Sequence, residues 1–461
     1  MSRRKRIRAP AAGRTTLTTQ IDMHTHSIRS FRRTWRCRWL PTLMACATSG
    51  LAQGAPAAST PTVTLADVFR LVGSQPEIAA AQARARAAGG SRTTARSLAN
   101  PMLDYRVEQA SAARPAPAIE REAMLTATLP LDAFYSWGPR ASRAGAEYRA
   151  AESDLAATRQ RVLLEAARAY HRVGVAQVGA SVSRDLASWL DSLVAYNRAR
   201  VREGVAAEVD LLRSEVERGR ASVNVALMEA ELARARADLS QFLPDVVGRP
   251  AALVVAVPNR PLSLPAESPT MPVNPELRSA RERAAGAASG LTMERLSIIR
   301  NVGATIGTKY MGGATALVVG ASLPFPLFDQ NRGEMARASG ERDAAQQDLI
   351  AVERRVRGDA AAAQAAAGAL TASAAELATP TAGGAPDFLQ KADEGRRIAL
   401  GAYREGAAPL IHLLDAARAR GEAHVAFAQL IAAQRDSVFS LLAALGIDLM
   451  STPLSPDSTS R

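Results

Sequence analysis

The chain has 461 residues and a formal net charge of +13, from 57 Lys and Arg against 44 Asp and Glu. Residues 1–46 hold 11 of those cations and one Asp, which leaves 46 against 43 in the rest. The basic excess therefore sits in a leader, not on a folded face that could take nucleic acid. Hydrophobic content is 47% but aromatics are only 4%, and Ala dominates. Ala favours helix and lets helices approach closely, so long thin helical layers are expected in place of one round core.

The leader reads as an export signal. Arg29, Arg32, Arg33, Arg36 and Arg38 precede a modestly apolar stretch from Trp39 to Ala52, then small residues around Ala52-Gln53-Gly54. Met23 is an alternative start, since residues 1–22 add only charge. Leu43-Met44-Ala45-Cys46 also resembles a bacterial lipobox, whose Cys46 would become lipid-modified. Cleavage near Gly54, acylation at Cys46 and a plain basic tail all stay open. Cys37 and Cys46 are the only cysteines, so an exported body has no disulfide or thiol chemistry. Beyond the leader no apolar run reaches 18 residues, and no transmembrane helix is expected.

A helix is predicted over Leu65 to Leu98, stopped by Asn100-Pro101. Two strands follow, Met102 to Gln109 and Ala123 to Leu131, around an Ala- and Pro-rich loop, Ala110–Glu122. Pro130 then denies the sheet a donor and turns the chain toward helix. Ser142 to Arg202 carries an apolar stripe at helical spacing (Leu155, Val162, Leu163, Ala166, Tyr170) and would run roughly 90 Å. Glu203-Gly204 breaks it, and Glu208 to Phe242 returns. A connector, Pro244 to Pro275, has eight prolines in 32 residues and is read as an extended strap.

The same order then recurs. Asn274-Pro275 opens a helix through Arg295. Strands Leu296–Lys309 and Thr315–Phe325 flank Tyr310-Met311-Gly312-Gly313, whose glycines permit the positive φ of a tight hairpin. Val302, Ala304 and Ile306 alternate with Asn301, Gly303 and Thr305. From the segments alone an ordinary soluble hairpin is preferred to a membrane strand. Helices follow over Arg332 to about Ala378, Asp387–Arg404 and Leu410–Gly446, with Thr379–Pro386 interrupting. The repetition is literal in places: Arg202-Glu203-Gly204 with Leu211-Leu212 returns as Arg404-Glu405-Gly406 with Leu413-Leu414, at an offset of 202. The organisation is thus a leader (1–54), a first repeat (64–243), the connector (244–273), a second repeat (274–449) and a polar tail (450–461).

No catalytic constellation is present. His171, His412 and His424 lie on predicted helices without Cys partners, and the glycines at 303, 307, 312 and 313 belong to a hairpin, not a phosphate loop. Neither enzyme activity, nor a cofactor, nor a metal site is expected.

Helix, strand hairpin, Pro switch and long helical hairpin, given twice, resembles the TolC-like outer membrane factors, the exit ducts of bacterial tripartite efflux pumps. Three strings carry the likeness: Asn274-Pro275-Glu276-Leu277, Leu323-Pro324-Phe325-Pro326-Leu327-Phe328-Asp329-Gln330-Asn331-Arg332-Gly333-Glu334, and Tyr403-Arg404-Glu405-Gly406 with Leu413-Leu414-Asp415-Ala416. The middle string is most similar to the heavy-metal and cation branch. Four strands are too few to close a barrel, and open edges in lipid are costly, so partners are required by the sequence itself. The resemblance implies that the number is three: a homotrimer with a 12-stranded β-barrel in outer-membrane lipid and a hollow α-barrel in the periplasm.

The resemblance further implies a periplasmic adaptor protein and an inner-membrane transporter as partners. The adaptor would touch the hairpin tips at Arg202, Gly204, Arg404 and Gly406. It places an acidic gate at His412 and Asp415, where His412 departs from the acidic pattern, and makes Asp210 and Arg213 the counterparts in the first repeat. The alternative for His412 is a half-buried helix residue with no gating role. The alternative reading is a periplasmic coiled-coil adaptor or scaffold.

Overall fold

The computed structural model describes residues 62–109, 121–243, 253–264, 274–380 and 385–450. The leader with Cys46, most of the 110–122 loop, the tail from 451 and parts of the connector lie outside the described residues.

Each repeat begins with a capped helix. The Thr64 hydroxyl accepts the Asp67 N–H while the Asp67 carboxylate accepts the Thr64 N–H, a reciprocal cap for helix α1 (Leu65–Val72). The single helix expected over Leu65–Leu98 is two: Pro76 has no N–H to continue α1 and starts α2 (Pro76–Arg96). Strands β2 (Met102–Gln109) and β3 (Arg121–Pro130) lead into α3 (Asp132–Arg202), a 71-residue helix about 105 Å long.

Helix α3 begins ten residues before the expected Ser142 and runs through Pro139. A proline there removes one helical hydrogen bond, and side-chain anchors on both sides hold the first turns in place. The Tyr135 hydroxyl donates to Ile299 O, and Trp137 Nε1 donates to Arg96 O at 2.8 Å. Helix α4 (Glu208–Ser240) returns antiparallel to α3.

The described part of the connector is an extended strap. Strand β1 (Thr62–Val63) pairs in parallel with β4 (Val254–Val255), and Leu253, Val255 and Leu262 are buried. Two glutamines bracket the strap from the helices, each supplying the two bonds a neighbouring strand would give. Gln177 of α3 pairs with the Val255 amide and carbonyl at 2.9 and 3.0 Å. Gln434, on the last long helix, does the same for Leu262 at 2.9 and 2.8 Å.

In the second repeat Asn274 caps α5 (Pro275–Leu296) by accepting from the Glu276 and Leu277 amides. Strands β5 (Gly303–Met311) and β6 (Ala314–Ser322) are shorter than the expected 296–309 and 315–325. Helix α5 continues to Leu296 and Asn301, at φ 59°, redirects the chain; beyond Ser322, Pro324 and Pro326 cannot pair. The hairpin turn has φ 57° at Gly312 and 87° at Gly313, the two positive values that a two-residue turn matched to strand twist demands. Helices α6 (Arg332–Leu377), α7 (Asp387–Arg404) and α8 (Leu410–Ala444) complete the chain. No described helix is long and apolar enough to cross a membrane.

The duplication is repeated in the ion pairs. Asp191–Arg218 ties α3 to α4, and Asp393–Arg420, each residue 202 positions on, ties α7 to α8. Glu77–Arg161 and Glu276–Arg355 join the opening helix to the long helix in each repeat, at 2.8 and 2.6 Å. The main core lies where α1, α3, α4, α8 and the strap meet, around Phe69, Ala166, Tyr170, Leu239 and Phe439. His171, unassigned by sequence, is a core residue there: it stacks on Phe439, and its Nδ1 lies 2.5 Å from Asp436 Oδ1.

The two hairpins share one antiparallel sheet in the order β2-β3-β5-β6, joined through β3 and β5. The described residues are mainly helical, with this four-stranded sheet and a short two-stranded ribbon.

Candidate functional site

Side chains directly opposite one another in an antiparallel sheet lie on the same face, so the register sorts every residue. One face carries Leu103, Tyr105 and Val107, then Leu125 and Leu129, Ile306 and Tyr310, and Leu317 and Val319. All are exposed: Leu103 by 74%, Val319 by 72%, Ile306 by 58%. No helix among the described residues covers them.

The other face carries Asp104, Arg106, Glu108, Glu122, Thr126, Thr128, Thr305 and Lys309. There Glu122 and Lys309 form an ion pair at 2.6 Å, and the Thr128 and Thr305 hydroxyls meet at 2.9 Å. An apolar face open to the surroundings and a charged, hydrogen-bonded face behind it is the reverse of a soluble sheet, which buries its apolar side. It is the pattern of a wall between lipid and water. Both outer edges, β2 and β6, have no strand partner among the described residues.

At the far ends of the long helices are two tips of one design. Gly204 and Gly406 hold φ at 74° and 75°, where a Cβ would be strained. The Gly204 N–H donates to Val201 O and the Val205 N–H to Arg200 O; Gly406 and Ala407 repeat both bonds to Tyr403 and Ala402. Each turn thereby satisfies its helix's last carbonyls and frees the chain to start the returning helix.

The tips of the two repeats are fastened together. Tyr403 of α7, 4% exposed, donates its hydroxyl to Asn197 Oδ1 of α3 at 2.7 Å, and Asn197 is wholly buried with its Nδ2 unpartnered. Tyr196 meets the Tyr403 ring edge-on, and the Arg200 guanidinium lies over both rings at 5.6 and 5.8 Å. Burial pushes the Tyr403 phenol above its ordinary value, and the nearby Asp210 carboxylate adds to it. Around this contact Leu190, Leu193, Leu413 and Leu414 form a small core. Glu217 of α4, bonded to Arg418 of α8 and to Arg220, closes the ring of helices; burial alone would raise its carboxyl, but the two guanidiniums hold it lowered.

The sequence-expected residues fall at these tips. His412 and Asp415 lie one turn apart on α8 and are exposed; the Asp415 carboxylate is 3.6 Å from Arg418. Arg213 is exposed and Asp210 half-buried on α4, and no ion pair joins them among the described residues. Arg202, Gly204, Arg404 and Gly406 are all exposed. The Tyr403–Asn197 contact escaped sequence reasoning. Its signal was there as a break in the repeat: the positions 202 residues away are Val201 and Ala399, neither able to form that bond.

Residues 70–243, essentially the first repeat, match the model of a family described as outer membrane efflux protein. That match places the first repeat, residues 70–243, with the outer membrane efflux proteins. Solved outer-membrane channels share its fold along most of their length. The outer membrane protein VceC of Vibrio cholerae is similar at 18% identity, over 83% of this chain and 96% of that one, with a TM-score of 0.67. The CmeC outer membrane channel of Campylobacter jejuni is similar at 15% identity, over 88% and 94%, with a TM-score of 0.70. The outer-membrane channel OprN is similar at 21% identity, over 84% and 90%, with a TM-score of 0.66. A comparison with curated proteins finds no match. The two-faced sheet and the fastened tips are thus the two distinctive parts of this fold, at opposite ends of the long helices.

Proposed function

We propose that the protein is the outer-membrane exit duct of a tripartite efflux pump, a passive channel through which small molecules or metal cations leave the periplasm. The observation that carries this is the sheet: among the described residues its apolar face has no cover and both edges have no strand partner, and its charged face suits a water-filled lumen. The protein sits in the outer membrane and extends into the periplasm. Three copies would bring twelve strands to one closed barrel, and their long helices would enclose a duct.

A second unpartnered surface supports assembly. Helix α4 exposes Val209, Leu212, Val216, Val223 and Leu227 along one face at helical spacing, a stripe suited to a neighbouring copy. The tips at Gly204 and Gly406 would meet the periplasmic adaptor, with His412, Asp415, Asp210 and Arg213 at the constriction. Among the described residues no cluster of three or more His, Cys, Asp or Glu is placed to hold a metal ion, so choice of cargo would rest with the inner-membrane transporter. The leader would direct export, with Cys46 the candidate for acylation. Nothing in the fold favours the adaptor reading, which leaves the exposed apolar sheet without a role.

Native mass spectrometry of the detergent-extracted protein tests the proposal. A membrane-bound assembly of three chains is expected; a soluble periplasmic monomer overturns it.

A further inference from the structure

All four junctions between helix and sheet lie at one end of the sheet, because Met102, Thr128, Thr305 and the Gly303–Ser322 pair are in register. That end carries a collar of exposed apolar side chains. Phe134, Tyr135 and Trp137 stand on the first turns of α3, and Leu323, Phe325, Leu327 and Phe328 follow β6. Phe328 is 100% exposed.

The segment bearing Phe328 is firmly held. Asn331, buried at φ 56°, donates from Nδ2 to Glu294 O at 2.8 Å and to its Oε2 at 3.0 Å. The Asn331 amide N–H donates to Asp329 Oδ1 at 2.9 Å, and its Oδ1 accepts from Arg300. A buried polar network therefore presents an aromatic ring to its surroundings, an arrangement that gains nothing in water. Between this segment and the α5–β5 turn lies a groove of about 330 Å³, lined by Ile298, Phe325, Leu327, Phe328 and the Arg300 side chain.

Among the described side chains at this end, guanidiniums without an ion pair outnumber carboxylates without one. Arg96 ends α2, Arg295 is in the last turn of α5 and Arg332 starts α6; all three are exposed, and none forms an ion pair among the described residues. Of the carboxylates described there, Glu294 is engaged with Arg300 and Asn331 and Glu334 with Arg337, while Asp329 accepts the Asn331 amide N–H and keeps its charge. Aromatic rings at the border of a lipid-facing sheet, next to uncommitted guanidiniums, suit the headgroup layer: the rings take the boundary and the guanidiniums the phosphates.

We propose that this collar binds anionic phospholipid headgroups of the periplasmic leaflet, with Arg96, Arg295 and Arg332 on the phosphates and the Phe325–Phe328 groove on the adjoining acyl chain. The proposal rests on the outer-membrane reading above, and one experiment separates the two. The full chain is reconstituted in phosphatidylcholine vesicles brominated near the headgroup end of the acyl chains. Tryptophan emission is read as the difference between each variant and its parent, for Phe328→Trp and, on the apolar sheet face, Leu317→Trp.

Quenching of both added tryptophans is expected. Quenching at 317 but not 328 overturns the collar, placing Phe328 against another copy, and leaves the channel intact. Quenching at neither position ends the channel reading and the proposal together. In native mass spectra of extracted protein, phosphatidylglycerol should be retained over phosphatidylcholine, and Arg96→Gln, Arg295→Gln and Arg332→Gln together should cut that retention on the order of a hundredfold at low salt. Equal retention of the two lipids, or no change in the triple variant, rejects the anionic site.

Discussion

Val318 and Val319 are neighbours in β6, yet the register puts them on opposite faces: Val319 opposite Ile306 and Val318 opposite Gly307. Val319 stands sixth of the nine residues of its strand, near mid-height of the sheet, and only 28% of it is covered by its own chain, since it is 72% exposed. If lipid covers the remainder, Val319→Arg forfeits most of the transfer free energy of a valine and sets a guanidinium in hydrocarbon. The first effect is about 1 kcal/mol and the second about 2–4 kcal/mol at the midplane, so the cost is roughly 3–5 kcal/mol per chain. Val318→Arg faces the charged side, the face that carries Lys309 and Glu122, and should cost far less. Both variants are to be unfolded with urea in lipid vesicles and followed by the heat-resistant assembled band and by circular dichroism. Equal loss in the two variants, or greater loss in Val318→Arg, would refute the assignment of faces.

Tyr403→Phe removes the hydroxyl that bonds Asn197 and leaves a buried amide with no partner, at a cost of about 1–3 kcal/mol. Hydrogen exchange should quicken in the tip segments 197–215 and 399–415 while the sheet stays protected; unchanged exchange there would show that the contact does not fasten the tips. Asp415→Ala, if Asp415 lines the constriction, should raise the ion conductance of the reconstituted protein in planar bilayers. Unchanged conductance removes it from the gate.

Duplication was legible because it survives as matched residues at a constant spacing, and the long helices because an apolar stripe sustained over many turns admits few other folds. The turns at Gly204 and Gly406 were legible for a simpler reason: positive φ wants glycine. Local signals served less well where a distant contact decides. Pro139 lies well inside α3, and the helix is anchored there by Tyr135 and Trp137 reaching Ile299 and Arg96, partners 164 and 41 residues away in the chain. The union of the two hairpins through β3 and β5 is a pairing across some 180 residues, with no local mark. The stretches after β6 looked like strand because Leu323 and Phe325 continue the alternation; prolines at 324 and 326 end the pairing, and the alternation goes on as an exposed collar instead. The Tyr403–Asn197 contact was not legible in what the repeats share, because that bond arises where they differ.

The central claim is that strands β2 and β6 are completed by other copies of the chain. Within one chain they are separated by β3 and β5, three inter-strand spacings or about 14 Å, well beyond the roughly 7 Å between Cα atoms that a disulfide can span. Any disulfide between them must therefore join two chains. Cysteines are to be placed in pairs, one at Asp104 or Arg106 and one at Ala316, Val318 or Gly320, all on the charged face, and oxidised in native membranes. In at least one register the account predicts covalent dimers and trimers that collapse to monomer on reduction; monomer alone in every register would contradict it.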